Sequence, residues 1–248
     1  MNPVLLITGA SRGIGAATAV LAAQHGWTVA VNYATHAAAA DAVVKQIQEA
    51  GGNALAVQAD VGDEAQILHM FAEIDAKLGR VSGLVNNAGV VDVTAKVENM
   101  SWARWERMMR INVLGSFACA REAVRRMSTA NGGTGGSIVN VSSAAARLGA
   151  PGQYVDYAAA KGAIDAFTIG LAKEVAVDGI RVNAVRPGLI DTDIHASGGL
   201  PNRVQDLAHL VPMQRGGTAE EVAQAIVWLL SDASSYTTMS LMEISGGR

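Results

Sequence analysis

The sequence predicts an α/β fold in three layers, a single doubly wound parallel sheet of about seven strands with helices on both faces. Two observations carry this reading. Short apolar, partly β-branched runs alternate with longer alanine-rich helical patterns along the whole chain. Glycine is frequent while only 4% of residues are aromatic, as expected where helices lie close on a sheet. Alternation of this kind implies right-handed crossovers and helices on both faces of the sheet. No linker, repeat or low-complexity stretch divides the 248 residues, so residues 1–248 read as one domain.

The elements follow in order. Val4-Leu5-Leu6-Ile7 is a buried strand, and the alanine-rich run after Gly15 is a helix. Residues 27–32 form a second strand, and residues 36–50 a helix stopped by Gly51-Gly52. Residues 54–58 are a third strand, and Asp63 is placed to cap a helix ending near Gly79. Residues 83–86 are a fourth strand, and a long helix follows Ser101, a good N-cap. Residues 137–141 are a fifth strand, followed by a helix carrying Tyr157 and Lys161. Residues 180–185 are a sixth strand, residues 218–231 a helix, and residues 239–244 a last strand. The long irregular stretch is 191–217, read as a substrate loop; His195 and His209 within it read as surface or packing residues.

Composition narrows the function. Half the residues are hydrophobic, enough for a sizeable core, and the net charge of -3 comes with no basic run for a nucleic-acid surface. The single cysteine, Cys119, excludes an intrachain disulfide framework. No secretory signal and no bilayer-spanning apolar stretch is visible, so a cytoplasmic protein without membrane or nucleic-acid partners is expected. No spacing of metal ligands appears.

The most informative stretch is Thr8-Gly9-Ala10-Ser11-Arg12-Gly13-Ile14-Gly15, a glycine-rich turn joining a strand to a helix. Backbone N–H groups and the positive end of the helix can there meet a phosphate. Gly9 permits a tight turn, Gly13 removes a side chain where a pyrophosphate would approach, and Gly15 lets the helix pack close. The G-x-x-x-G-x-G spacing differs from the commoner dinucleotide fingerprint. Further unusual clusters each follow a strand: Asn87-Ala88-Gly89, Ser142-Ser143 and Pro187-Gly188. Ligands of open parallel sheets bind beyond the carboxyl ends of the strands, so these distant segments converge. Asn87 can instead form an ordinary Asx turn. Asp60 is as well suited to a capping role as to an adenine amino group.

Tyr157 and Lys161, four apart on a helix, share one face. An ammonium beside a phenol stabilises the phenolate, so Lys161 is expected to lower the tyrosine pKa. Such a tyrosine exchanges a proton with a carbonyl or alcohol oxygen near neutral pH. As an isolated pair the two would be an exposed helical couple; here they accompany the glycine-rich turn and a serine at a strand end.

Together, TGASRGIG at 8–15, Asp60-Val61, NNAG at 86–89, Asn112, Ser143, YAAAK at 157–161, PG at 187–188 and SGG at 245–247 resemble the short-chain dehydrogenase/reductase family over essentially the whole chain. Within it, the chain is most similar to 3-oxoacyl-carrier-protein-reductase-like and sugar-dehydrogenase-like members. The resemblance implies a Rossmann fold and hydride transfer between a nicotinamide cofactor and a small carbonyl or secondary alcohol. It implies Tyr157 as general acid/base, Lys161 holding the nicotinamide ribose, Ser143 polarising the substrate and Asn112 holding a relay water. It also implies that Ile190 and Thr192 meet the nicotinamide carboxamide. A homotetramer is implied too, built partly from the helices near 101–128 and 152–176. A catalytically silent dinucleotide-binding redox sensor is the alternative, though it would not need Asn112, Ser143, Tyr157 and Lys161 together.

Three departures from the family pattern stand out. Ser143 and Tyr157 are one residue further apart than usual, which leaves Ser142 and Ser143 both as candidates for the catalytic serine; alignment through Arg147-Leu148-Gly149 favours Ser143. Met239 stands where relatives often have glycine. The second strand ends Asn32-Tyr33-Ala34-Thr35-His36, without the acid that NAD-selective relatives use to accept the ribose 2′-hydroxyl. With Arg12, Thr35 and His36 available as donors, NADP(H) is expected over NAD(H).

Overall fold

The structure, a computed structural model, describes residues 2–248, the side chain of His195 excepted. Its strands are β1 (Val4–Ile7), β2 (Thr28–Tyr33), β3 (Asn53–Gln58), β4 (Val81–Asn86), β5 (Gly136–Val141), β6 (Ile180–Pro187) and β7 (Leu241–Ile244). They form one sheet in the order β3-β2-β1-β4-β5-β6-β7. Every pairing is parallel, with Ile7 opposite Val31 on one side and Val85 on the other. Strand order therefore reverses between β1 and β4, which opens a crevice at their carboxyl ends.

Alternation along the strands builds two cores. Leu5, Ile7, Val29, Val31, Val85 and Val139 face one side, against α1 (Gly13–Gln24), α2 (Ala37–Glu49) and, near the end of the chain, the helix Ala219–Leu230. Leu6, Ala30, Val57, Leu84 and Ile138 face the other, against α3 (Glu64–Lys77) and the helices Gly115–Met127 and Val155–Val175. Asp63 caps α3 by accepting from the N–H groups of Ala65 and Gln66.

The long helix after Ser101 is interrupted. It runs as α4 (Trp102–Met109), a π-helical turn at Arg110–Leu114, and α5 (Gly115–Met127). Short α6 (Ala145–Leu148) precedes α7 (Val155–Val175). The stretch 191–217 is less irregular than its glycines and prolines imply, since it holds α8 (Ile194–Ser197) and α9 (Arg203–Leu207) ahead of α10 (Ala219–Leu230). Thr218 and Glu221 close a reciprocal capping box on α10. The last strand starts two residues later than its pattern suggests. Met239 has a φ of 64°, which turns the chain out of the extended conformation before β7.

One buried ion pair locks the start of α7. Arg104 of α4 donates to both carboxylate oxygens of Asp156, at 2.7 and 3.2 Å, and to the Val93 carbonyl at 2.6 Å. The two side chains are only 8% and 5% exposed, so neither charge is balanced by water. Removing one partner leaves a buried charge, which costs about 3–5 kcal/mol. Arg104→Met should therefore lower the stability measured by urea unfolding by about that amount, while Arg104→Met combined with Asp156→Leu recovers most of it.

Candidate active site

The crevice at the strand ends is a cleft of about 670 Å³, within the range of small-molecule sites. Every residue singled out as a candidate in the sequence lines it, except Gly15 and Asn112. Sheet order sets their arrangement. Tyr33, Thr35, His36, Asp60 and Val61 follow β2 and β3 on one flank, Ser143, Pro187 and Gly188 follow β5 and β6 on the other, and the glycine-rich turn lies between.

Backbone demands explain the turn. Gly9 and Gly13 have φ of 61° and 54°, and a Cβ on Gly9 would lie 2.9 Å from the Ala88 Cα. A Cβ on Gly15 would lie 2.5 Å from the Asn87 amide nitrogen, so this glycine acts beneath the cleft rather than in its wall. Thr8 Oγ1 accepts from the N–H groups of Asn87 and Ala88, each at 3.0 Å. The Asn87 amide donates to the carbonyls of Thr8 and Gly9. Asn32 accepts from the Gly9 N–H and donates to the carbonyls of Val57 and Ala59, tying β1, β2 and β3 together under the cleft. No side chain caps α1, so its first-turn N–H groups remain for a ligand. With Gly13 bare above them, this donor set fits a pyrophosphate.

At the end of β2, Thr35 Oγ1 lies 2.6 Å from His36 Nδ1. Arg12 is exposed nearby and forms no ion pair among the described residues. Asp60 is not the cap of α3, a role held by Asp63; its Oδ1 instead accepts from the Gly62 N–H at 2.8 Å.

On the other flank, Tyr157, Lys161 and Ser143 meet. The Ser143 hydroxyl lies on the side of the Tyr157 phenol and favours its phenolate form, and the Lys161 ammonium lies 5.6 Å from the Tyr157 ring centre. Ser142 also lines the cleft, but its hydroxyl is engaged by the Lys161 carbonyl, to which it donates at 3.2 Å. Lys161 Nζ donates to the Val141 carbonyl at 2.6 Å. Asn112 sits in the π turn, and its amide accepts from the Val90 N–H and donates to the Val90 carbonyl. A Cβ on Gly89 would fall 2.7 Å from Asn112 Oδ1 and 3.6 Å from Lys161 Nζ, so Asn112 and Lys161 approach each other across a bare glycine.

Burial dominates the electrostatics here, contrary to the sequence expectation for the tyrosine. The Tyr157 phenol is pushed up to about 12 by burial, with the Ser143 hydrogen bond working against it. Burial pushes the Lys161 ammonium down to about 8, and Asp165 partly restores it. Desolvation thus loosens the lysine's hold on its proton and tightens the phenol's.

Residues without a motif also line the cleft: Gln153, Tyr154, Arg203 and Arg248 among them. Their only signal in the sequence is position: Gln153 and Tyr154 lie shortly before Tyr157, Arg203 inside the loop 191–217, and Arg248 directly after SGG at 245–247. The side chain of His195 lies outside the described residues, and His209 is exposed.

Comparison with known proteins bears on the reading. Residues 9–248 match a family model described as enoyl-(acyl carrier protein) reductase. The chain is 57% identical over 245 residues to the uncharacterized oxidoreductase YgfF of Escherichia coli, covering 99% of both chains. It is 39% identical to a 3-oxoacyl-[acyl-carrier-protein] reductase of Synechocystis, covering 98% of this chain and 96% of that one. A short-chain dehydrogenase/reductase from Serratia marcescens superimposes with a TM-score of 0.90 at 32% identity, over 99% of this chain and 97% of that one. The fold, the ordered motifs and these likenesses agree: the chain belongs to the short-chain dehydrogenase/reductase family of oxidoreductases.

Proposed function

We propose that this chain interconverts a small carbonyl compound and its secondary alcohol with a nicotinamide dinucleotide, acting in the cytoplasm. The observation that carries the proposal is the cluster of Ser143, Tyr157 and Lys161 at the same sheet edge as the uncapped helix N-terminus. The first-turn N–H groups and Gly13 would hold the pyrophosphate, Asn87-Ala88-Gly89 and Pro187-Gly188 would line the cleft beside it, and Ile190 and Thr192 would hold the carboxamide. When bound, the reduced cofactor supplies a hydride to the carbonyl carbon. Tyr157 gives its proton to the carbonyl oxygen, and in the reverse direction its phenolate takes the alcohol proton. Ser143 donates a hydrogen bond to the same oxygen. Lys161 binds the ribose hydroxyls and lends positive charge as the phenolate forms. Asn112 and Lys161 support a water relay that returns the proton.

Arg12, Thr35 and His36 favour a 2′-phosphate, and Tyr33 stands where an acid would repel it. Apolar side chains exposed on the α4–α5 helix, Trp102 at 70% and Leu114 at 59%, support a homotetramer. Open space before Gly162 of α7 leaves room for a second helix.

Four measurements test these readings. Tyr157→Phe should lower kcat by about 10²–10⁴ in a spectrophotometric assay with a ketone, aldehyde, sugar or acyl-thioester panel, while retaining cofactor binding. In the wild type, alcohol oxidation should rise as pH increases through the alkaline range, because the buried phenol must lose its proton first. Equal loss of cofactor binding and turnover in the variant would count against an acid/base role. The ratio of kcat/KM should favour NADPH over NADH by about tenfold or more. Light scattering should give a mass four times that of the 25.6 kDa chain.

A further inference from the structure

The substrate end of the cleft holds a positive charge that the hydride-transfer chemistry does not use. Arg203, the first residue of α9, projects from the loop 191–217 into the cleft wall. Its Nη2 donates to Gln153 Oε1 at 2.7 Å, and its Cζ lies 5.2 Å from the Tyr154 ring centre. The Tyr154 ring in turn meets the Tyr157 ring edge-on at 6.0 Å. The guanidinium therefore stands one aromatic ring away from the Tyr157 ring. It is held from two sides, so little freedom is lost when a ligand binds. Among the described residues its guanidinium has no carboxylate partner, and Gln153 is its one hydrogen-bond acceptor. A guanidinium has five N–H donors in a planar fork, which leaves enough for a bidentate contact.

The surroundings fit this reading. Arg248 also lines the cleft, and the charges of Arg203 and Arg248 both act on the Tyr154 phenol. Asp60 and Asp193 are the carboxylates in the lining; Asp60 follows β3 on the far flank, and neither pairs with Arg203. Leu148, Ala150, Ile194 and Leu200 make the nearby wall apolar. Arg203 is half-buried, which suits a small acid inside the cleft better than an acidic protein on its outside.

We propose that Arg203, braced by Gln153 and Tyr154, is the carboxylate-binding end of the substrate site, so that the substrate is an oxo acid or hydroxy acid whose carboxylate is separated from the reacting carbon by an apolar body. The proposal rests on the reductase reading above. The reaction is unchanged by it: one hydride reaches the carbonyl carbon and one proton the carbonyl oxygen as before, and the carboxylate remains intact.

The test compares 4-oxocyclohexanecarboxylate with its methyl ester, each with NADPH. The acid should have the higher kcat/KM by about tenfold or more, chiefly through KM. Arg203→Gln should collapse that ratio, and Arg203→Lys should keep part of it, since lysine retains the charge but not the fork. Equal turnover of acid and ester, or a ratio untouched by Arg203→Gln, overturns the subsite and leaves the reductase reading standing. A variant that loses only turnover of a carrier-protein thioester also overturns it, in favour of an acidic protein partner. If no ketone consumes NADPH, the reductase reading fails, and calorimetry still decides the subsite. Cyclohexanecarboxylate should then bind the wild type more tightly than cyclohexanecarboxamide does and lose that advantage in Arg203→Gln; no difference between the two probes overturns the proposal.

Discussion

Everything at the ligand-binding edge depends on how closely the end of β1 approaches the end of β4. At that switch point two strands diverge toward opposite layers, and their last peptide groups lose their sheet partners. Thr8 and Asn87 repair the loss reciprocally: one hydroxyl accepts two N–H groups, and one amide donates to two carbonyls. Buried backbone groups left unpaired would each cost about 1–3 kcal/mol, so this exchange stabilises a geometry that sheet pairing alone cannot. Gly15 belongs to the same device, because any side chain there would displace the Asn87 amide. The glycine-rich turn is thus shaped as much by Asn87 behind it as by what binds in front.

A second theme is the opposition between burial and charge around Tyr157. Removing water penalises both phenolate and ammonium, and it moves their affinities for protons in opposite directions. A protonated phenol and a readily deprotonated lysine are the forms that this environment favours. Charge on either group becomes favourable only when the other, or a bound polar group, supplies compensation. The proton affinities of both groups therefore depend on what fills the cleft.

Much of this architecture was legible in the sequence. Alternating apolar runs located the strands to within two or three residues, since a doubly covered sheet leaves few polar positions in its strands. Glycine, asparagine and proline after the strands marked the edge where backbone geometry is restrictive. Other features were hidden for physical reasons. Met239 adopts a left-handed conformation that its own side chain does not advertise and that only the glycine usual at this position in relatives points to. The π turn comes from one extra residue inside an otherwise regular helical pattern, which periodicity absorbs. Direct neighbours predicted the sign of the Tyr157 shift incorrectly, because desolvation is a property of the whole pocket. Arg203 belongs to no motif, and only the folding of its loop gives its charge a place.

The widened turn at Arg110–Leu114 has a geometric consequence for the helix that contains it. One residue beyond the usual repeat advances the following spiral by about 100°. Met108, ahead of it, lies against Ala160 of α7, whereas Cys119, Ala120 and Ala123, behind it, lie with Leu84 of β4. A single rod thereby presents its apolar stripe first to a neighbouring helix and then to the sheet, as a screw whose thread is offset midway can engage two nuts set at different angles.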